Sequence, residues 1–211
     1  KGRKVNLVCP KRSQKAEFIE LVKRNADYEL ERIKKGLELK EFELEDLASL
    51  LQLDSIPFRI EGYDISHIQG SDAVGSQVVF INGIPAKQHY RKYKIRNKEV
   101  TLGHSDDYSS LAEVIERRFK RWSRIKKELG TIDSLKKQKE SKLDNSFFND
   151  WPDLIMIDGG KGQLNTVMST LKELNLDEEL NVCSLAKKKE EIYLPGENRP
   201  LESEYDQIGV K

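Results

Sequence analysis

The chain contains the segment Phe58-Arg59-Ile60-Glu61-Gly62-Tyr63-Asp64-Ile65-Ser66-His67, which has the length and apolar content of a buried β-strand. Asp64 stands inside this strand, just before the chain turns. An unpaired carboxylate in a buried strand costs several kcal/mol, so it needs a partner, and a metal ion is the simplest one. The same pattern returns in Pro152-Asp153-Leu154-Ile155-Met156-Ile157-Asp158-Gly159-Gly160. Two strand-borne aspartates indicate a divalent-metal site for phosphoryl chemistry.

The composition predicts a soluble protein with a lean core. The chain has 211 residues, of which 37% are hydrophobic and 35% charged, and this length suits one domain with appendages or two small domains. It has no apolar run of the ~18 residues that span a membrane and no signal peptide. Its two cysteines form no disulfide framework. We therefore expect a cytoplasmic protein with no membrane partner.

The charge balance limits how the chain can bind nucleic acid. The 37 basic and 36 acidic residues give a net charge of +1, which excludes a generic polycation. Binding of nucleic acid then requires local basic patches. Since the sequence starts at Lys1 and stops at Lys211, we expect a fragment of a longer protein.

The first 57 residues predict an N-terminal strand and a helical linker segment. Residues 3–9 alternate like a short strand. Residues 13–35 carry apolar side chains at helical spacing, and Gly36 is expected to end that helix. Residues 43–53 predict a second, shorter helix.

The main domain, residues 58–211, opens with strands. The first covers residues 58–65 and the second residues 73–81; Asn82-Gly83 is a strong hairpin signal, and the third strand is expected to be long, over residues 84–95. Further elements are predicted as a helix at 106–127, a polar insertion at 130–150, a strand at 153–158, a helix at 161–174, a strand at 180–185 and a short strand at 191–194.

This order of elements predicts an α/β fold with a mixed five-stranded sheet and helices on both faces. Three meandering strands followed by helix, strand, helix and strand are the order of the ribonuclease H-like fold. In that fold the first and fourth strands lie side by side at the centre of the sheet. Asp64 and Asp158 would then be neighbours.

The candidate site has the residues of a metal-dependent nuclease. Mg²⁺ or Mn²⁺ held by carboxylates activates water and neutralises charge on a phosphate, and two aspartates suffice because hard cations keep several waters. A buried salt bridge for Asp64 and a helix cap for Asp158 are the structural alternatives. Asp107 is a candidate third carboxylate or a partner of a helix dipole. His67 and His104 are candidate bases or ligands, or ordinary surface or core residues.

Three segments suit contact with DNA. Gly159-Gly160-Lys161-Gly162-Gln163 leads into a helix whose N-terminus favours a phosphate, so Lys161 and Gln163 are candidate contacts, although the glycines also suit a plain tight turn. This segment lacks the spacing of a Walker A loop. Tyr90-Arg91-Lys92-Tyr93 interleaves basic and aromatic side chains, which suits phosphate contact and base stacking, as well as a polar sheet face. Lys187 begins a run of three lysines that suits DNA or a solvated turn.

Taken together, these motifs resemble the C-terminal half of UvrC, the incision subunit of the bacterial excinuclease. The resemblance covers roughly residues 58–201 and keeps the order of the family's motifs. It rests on Gly62-Tyr63-Asp64-Ile65-Ser66-His67, Tyr90-Arg91-Lys92-Tyr93, Asp106-Asp107-Tyr108, Ile157-Asp158-Gly159-Gly160-Lys161-Gly162-Gln163, Leu185-Ala186-Lys187-Lys188 and Glu191-Ile192-Tyr193-Leu194-Pro195.

The resemblance implies a ribonuclease H-like endonuclease domain that makes the 5′ incision in damaged double-stranded DNA during nucleotide excision repair. It implies UvrB as a partner, with UvrA acting upstream, and a metal site built on Asp64 and Asp158, with Asp107 involved less directly. The family's third core residue is a histidine in an Arg-Asp-Glu-x-His segment. Because the sequence stops at Lys211 before such a segment, we expect an incomplete site and a fragment that is inactive alone.

Two other hypotheses stay open from the sequence. One is a non-catalytic DNA-binding or docking module that keeps a ribonuclease H-like shape. The other is a nucleotide-binding α/β domain that uses residues 159–162. Substitution of Asp64 separates the first from a nuclease, and a nucleotide titration tests the second.

Overall fold

The computed structural model describes residues 14–68, 72–96, 107–130, 150–186 and 191–201. The chain divides into two compact units, residues 1–42 and 43–211. The boundary that the sequence suggests between residues 57 and 58 stays a prediction. Among the described residues, no helix is both long enough and apolar enough to cross a bilayer. Several sequence predictions lie outside this description: the strand at 3–9, most of the insertion at 130–150, His104 and Lys187.

The first described element is one α-helix, α1, from Gln14 to Leu50. The prediction of two helices separated at Gly36 is therefore wrong. A glycine inside a helix costs about 1 kcal/mol relative to alanine, but it still makes the helical hydrogen bonds. No proline stands in this span to break them. The end of α1 belongs to the second unit, where Leu44, Leu47 and Leu50 are buried.

An antiparallel meander opens the sheet of the second unit, as predicted. Its strands are β1 (Arg59–Ile68), β2 (Asp72–Ile81), β3 (Ile84–Pro85) and β4 (Arg91–Lys94). Asn82 and Gly83 have φ angles of 50° and 69°, the positive values that a two-residue hairpin of this sequence requires. The single long third strand is wrong. Pro85 has no N–H to continue the ladder, and Lys87–His89 forms a 3₁₀ turn before β4.

The remaining elements complete a mixed sheet. They are α2 (Asp107–Leu129), β5 (Leu154–Asp158), α3 (Lys161–Glu173), β6 (Asn181–Ala186) and β7 (Glu191–Tyr193). The strand order is β3-β2-β1-β5-β6-β7, and β4 also pairs with β2. β1 lies parallel to β5, which confirms that the first and fourth predicted strands are neighbours. The sheet has seven strands rather than five, because the third predicted strand is split and residues 191–193 pair with β6.

Helices cover both faces of the sheet, as predicted. α2 and α3 pack on one face around a core that includes Tyr63, Ile155 and Ile157. The end of α1 packs on the other face, against Ile60 and Leu154 among others. Successive side chains of a strand point to opposite faces. The residues that follow Tyr63 and Ile157 therefore lie on the face that α1 covers in part.

Candidate metal centre and nucleic-acid face

The two predicted metal ligands lie side by side. β1 and β5 run parallel with Tyr63 opposite Ile157, so the next residues along the two strands, Asp64 and Asp158, occupy neighbouring positions. Both aspartates line one groove with a volume of about 390 Å³. The other groups that line this groove are mostly apolar: Gly62, Tyr63, Ser76, Val78, Phe80, Met156, Ile157 and Leu185. The fold therefore brings the two carboxylates together at the edge of an open, largely apolar surface.

The surroundings of the aspartates suit a hard cation. Both residues are half-buried, and the Ser66 hydroxyl donates a hydrogen bond of 2.8 Å to Oδ2 of Asp64. Carboxylate oxygens are the ligands that Mg²⁺ and Mn²⁺ prefer, and these ions fill the rest of their coordination shell with water. The donor set of Asp64 and Asp158 therefore fits such an ion.

Asp107 does not form a three-ligand cluster with the other two aspartates. Within the part of the chain that the structure describes, no group of three His, Cys, Asp or Glu residues is placed to hold a metal ion. Asp107 is the first residue of α2, where a carboxylate interacts favourably with the helix dipole. The side chain of His67 lies outside the description.

The fully buried carboxylate of β1 is Glu61 rather than Asp64. Glu61 is 0% exposed and is paired with protein groups: Oε1 accepts hydrogen bonds from Arg59 at 2.7 Å and Arg118 at 2.8 Å, and Oε2 accepts one of 2.6 Å from the hydroxyl of Tyr63. The fully buried acid of this strand therefore needs no metal, and the role of Asp64 as a metal ligand stays a prediction. Arginines satisfy Glu61, whereas Asp64, three residues later, turns to the opposite face.

Charge and burial compete at Glu61. Burial opposes ionisation of its carboxyl, but the hydrogen bond and charge of Arg118, with help from Tyr63 and Arg59, hold the pKa of Glu61 below its ordinary value. Burial and the Glu61 charge raise the pKa of Tyr63 well above its ordinary value, so this phenol stays a proton donor. The cluster is a charged group locked in the core between β1 and α2.

The same two arginines also contact Asp150, which precedes β5 in the chain. Nη2 of Arg59 lies 3.2 Å from Oδ1 of Asp150, and Nη1 of Arg118 lies 3.4 Å from Oδ2. Arg118 also donates to the carbonyl oxygen of Asp150. The next residue, Trp151, packs against Trp122 with ring centroids 4.7 Å apart. Glu61, Arg59, Arg118 and Asp150 therefore tie β1, α2 and the approach to β5 together, which sets the relative position of the strands that carry Asp64 and Asp158.

The sequence contained a signal for this cluster. Arg118 falls on the buried stripe of α2 among Leu111, Ile115 and Phe119, and a charged residue on an apolar stripe needs a buried partner of opposite charge. Glu61 stands between Ile60 and Gly62, two residues before the aromatic Tyr63 on the same face of β1, which makes it a candidate for that partner.

The glycine segment after β5 makes tight contacts. A Cβ at Gly162 would lie 2.7 Å from the hydroxyl oxygen of Tyr108, so the Asp-Asp-Tyr and Gly-Gly-Lys-Gly-Gln motifs meet at this point. The side chain of Gln163 folds over Gly159, where a Cβ would collide with Oε1 of Gln163. Nζ of Lys161 donates a hydrogen bond of 2.7 Å to Asn198. The roles of Lys161 and Gln163 as phosphate contacts stay predictions.

β4 presents part of the predicted basic and aromatic surface. Tyr90 is 37% exposed, and Arg91 and Lys92 are exposed. Tyr93 is only 7% exposed; its hydroxyl donates a hydrogen bond of 2.8 Å to Gln77. Its proposed role in base stacking therefore does not fit this structure, because Tyr93 is the buried residue of β4.

The family model and the curated relatives that match this chain identify the same family. Residues 48–211 match the sequence model of the UvrC RNase H endonuclease domain. The UvrABC system protein C of Synechococcus sp. strain CC9605 is 61% identical over 208 residues, which are 99% of this chain and 32% of that protein. The protein of the same name from Prochlorococcus marinus strain MIT 9313 is 58% identical over 210 residues, which are 100% of this chain and 32% of that protein. The chain thus spans about a third of the length of these relatives.

Among solved structures, the endonuclease V of Ciona intestinalis in complex with a 24mer DNA is similar at 17% identity. The match covers 74% of this chain and 58% of that one, with a TM-score of 0.34.

Proposed function

Because the chain belongs to the family of UvrC RNase H endonuclease domains, we propose that it is a metal-dependent DNA endonuclease that makes the 5′ incision at damaged double-stranded DNA in nucleotide excision repair. The observation that carries this proposal is the pair Asp64 and Asp158, placed side by side on neighbouring parallel strands and lining one groove. We place this activity in the cytoplasm, with UvrB as the partner and UvrA acting upstream.

Asp64 and Asp158 would hold a Mg²⁺ or Mn²⁺ ion. Such an ion, when bound, lowers the pKa of a water and neutralises charge on the phosphate. Other residues of the chain orient these two aspartates. The Ser66 hydroxyl occupies one oxygen of Asp64, which restricts the rotation of that carboxylate. The cluster around Glu61 fixes β1 against the approach to β5, so the two aspartates are set before substrate arrives.

DNA would lie on the open face of the sheet. The exposed side chain of Lys92 would contact it on this face. Those of Tyr90 and Arg91, also exposed, would contact it where it passes the edge of the sheet at β4. Lys161 and Gln163, at the start of α3, would contact it near Asp158, and we keep Lys187 as a further candidate. Asp107 is retained as an acid that acts on the site indirectly, through the contact between Tyr108 and Gly162.

Incision and metal binding by aspartate variants test this function. In the full-length protein that contains this chain, Asp64→Asn and Asp158→Asn should each abolish the 5′ incision and weaken Mn²⁺ binding while DNA binding persists. Asp54→Asn, at an exposed aspartate in the turn after α1, serves as the matched control and should cut like wild type. If Asp64→Asn cuts damaged DNA at the wild-type rate, the chain is the non-catalytic DNA-binding or docking module instead.

A further inference from the structure

A single row of residues crosses the sheet at the level of the aspartates. Asp64 on β1 is paired with Ser76 on β2, and Ser76 is paired in turn with Lys92 on β4. Directly paired residues of antiparallel strands place their side chains on the same face of the sheet. Lys92 therefore shares the face of Asp64, although it is far from it in sequence.

The distances along this row match the spacing of a nucleic-acid strand. Each antiparallel pair separates Cα atoms by about 5 Å, so Lys92 and Asp64 lie about 10 Å apart along the row. Nucleotides of a duplex strand advance about 3.4 Å each along the axis. A phosphate within about three nucleotides of one held at Asp64 would thus lie over Lys92.

The groups along the row are the ones that bind a phosphate. Ser76 lines the same groove as Asp64, and its hydroxyl can donate to a phosphate oxygen. Lys92 is exposed, and its side chain makes no ion pair or hydrogen bond with any residue that the structure describes. Its neighbour Arg91, on the opposite face, instead lies 3.9 Å from the Asp150 carboxylate. The charged side chain of Lys92 is therefore available to bind an anionic ligand.

The charge of the row is one-sided. Residues 87–96 contain five lysines and arginines and no acidic residue. Lys94 lies on the same face as Lys92, two residues further along β4, where it is paired with Val74. Beyond Asp158 the row continues with apolar residues: Leu185 is paired with Asp158, and Ile192 is paired with Leu185. Within the described residues, this row therefore carries basic side chains toward β4 and apolar side chains toward β7.

We propose that Lys92, assisted by the Ser76 hydroxyl, binds a phosphate of the cut strand within about three nucleotides of the scissile phosphate, on one side of it only. The cut strand then runs across the sheet from the aspartates toward β4. This assignment rests on the proposed nuclease function and adds to it the path of the strand and a residue that sets its position. Lys92 is a binding residue here, not a catalytic one.

The salt dependence of DNA binding by the full-length protein tests this path. Binding is measured in EDTA on a fluorescein-labelled DNA duplex with a central bubble, between about 50 and 200 mM salt. Loss of one phosphate contact in Lys92→Ala should lower the slope of log affinity against log salt by about 0.7–0.9. Lys172→Ala, at an exposed lysine near the end of α3, is the matched control and should keep the wild-type slope.

A set of probes locates the phosphate. Single methylphosphonates, which carry no charge, are placed one at a time on each side of the expected incision. One of them, within about three nucleotides and on one side only, should weaken wild type and leave Lys92→Ala unchanged. If every position weakens wild type and Lys92→Ala equally, the phosphate site at Lys92 is wrong.

Mn²⁺ binding by wild type, measured in parallel, separates this proposal from the nuclease function. Wild-type Mn²⁺ binding with an unchanged salt slope in Lys92→Ala overturns the strand path alone. No Mn²⁺ binding in wild type overturns the nuclease function, and a reduced slope in Lys92→Ala would then still support the phosphate contact.

Discussion

Replacement of Arg118 by methionine tests whether the buried charge cluster holds the domain together. Arg118→Met keeps much of the side-chain volume but removes the guanidinium that lies 2.8 Å from Glu61. The side chains of Arg118 and Glu61 are 3% and 0% exposed, so water cannot replace the lost partner. Removal of one member of a buried ion pair typically costs about 3–5 kcal/mol. Because Arg59 and Tyr63 still contact Glu61, we expect the lower half of that range.

Tryptophan fluorescence during thermal unfolding of the chain measures this effect. The chain has two tryptophans, Trp122 and Trp151, which are 2% and 4% exposed and contact each other beside the cluster. A loss of 1 kcal/mol lowers the Tm of a chain of this size by roughly 2–4 °C, so Arg118→Met should lower it by about 6–16 °C.

The adjacent arginine supplies a matched control. Arg117 pairs with Glu113 on the outside of α2, and its side chain is 31% exposed. Because surface ion pairs contribute about 0–1 kcal/mol, Arg117→Met should lower the Tm by no more than about 4 °C. Equal losses in Arg117→Met and Arg118→Met would refute the reasoning, because the cost would then not come from an uncompensated charge in the core.

Two further predictions follow from the same packing. The pKa of Glu61 lies below its ordinary value of 4.5 in the folded chain, so ionised Glu61 stabilises the fold fully above about pH 4.5, and this stabilisation is lost as the pH falls through the folded-state pKa. In thermal scans at acid pH, the Tm of wild type should therefore fall more steeply with decreasing pH than the Tm of Glu61→Gln. Parallel curves of Tm against pH would contradict this linkage. Gly162→Ala should lower the Tm, because the new Cβ would lie 2.7 Å from Oη of Tyr108. In a Tyr108→Ala background, Gly162→Ala should instead leave the Tm unchanged or raise it, since alanine is favoured over glycine in a helix by about 1 kcal/mol. A rise in Tm on Gly162→Ala alone would show that the two motifs do not meet.

Much of the fold could be predicted because local pattern and topology agree. The positive φ values that Asn82 and Gly83 favour select a hairpin, and the order of strands and helices places β1 beside β5. The residues at which a helix or strand ends could not be predicted as well. Gly36 is tolerated inside α1, and Pro85 ends β3 early, because the effect of such a residue depends on the packing around it.

The positions of the two candidate metal ligands could be predicted from the sequence, but the residues that hold their strands in place could not. Asp64 and Asp158 follow from the apolar runs that precede them. The partners of Glu61 come from α2, 57 residues away along the chain for Arg118, as well as from β1 itself. The alternation that buries Tyr93 and exposes Lys92 depends on which face of β4 meets the core, and a four-residue strand carries too little pattern to decide this.

The most direct measurement for the central claim is the anomalous signal of Mn²⁺ in a crystal of the protein. The account predicts one ion bound by both Asp64 and Asp158, with carboxylate oxygens about 2.0–2.2 Å from it. The peak should disappear in Asp64→Asn. A peak that touches neither aspartate, or one that survives in Asp64→Asn unchanged, would contradict the metal site and the nuclease function built on it.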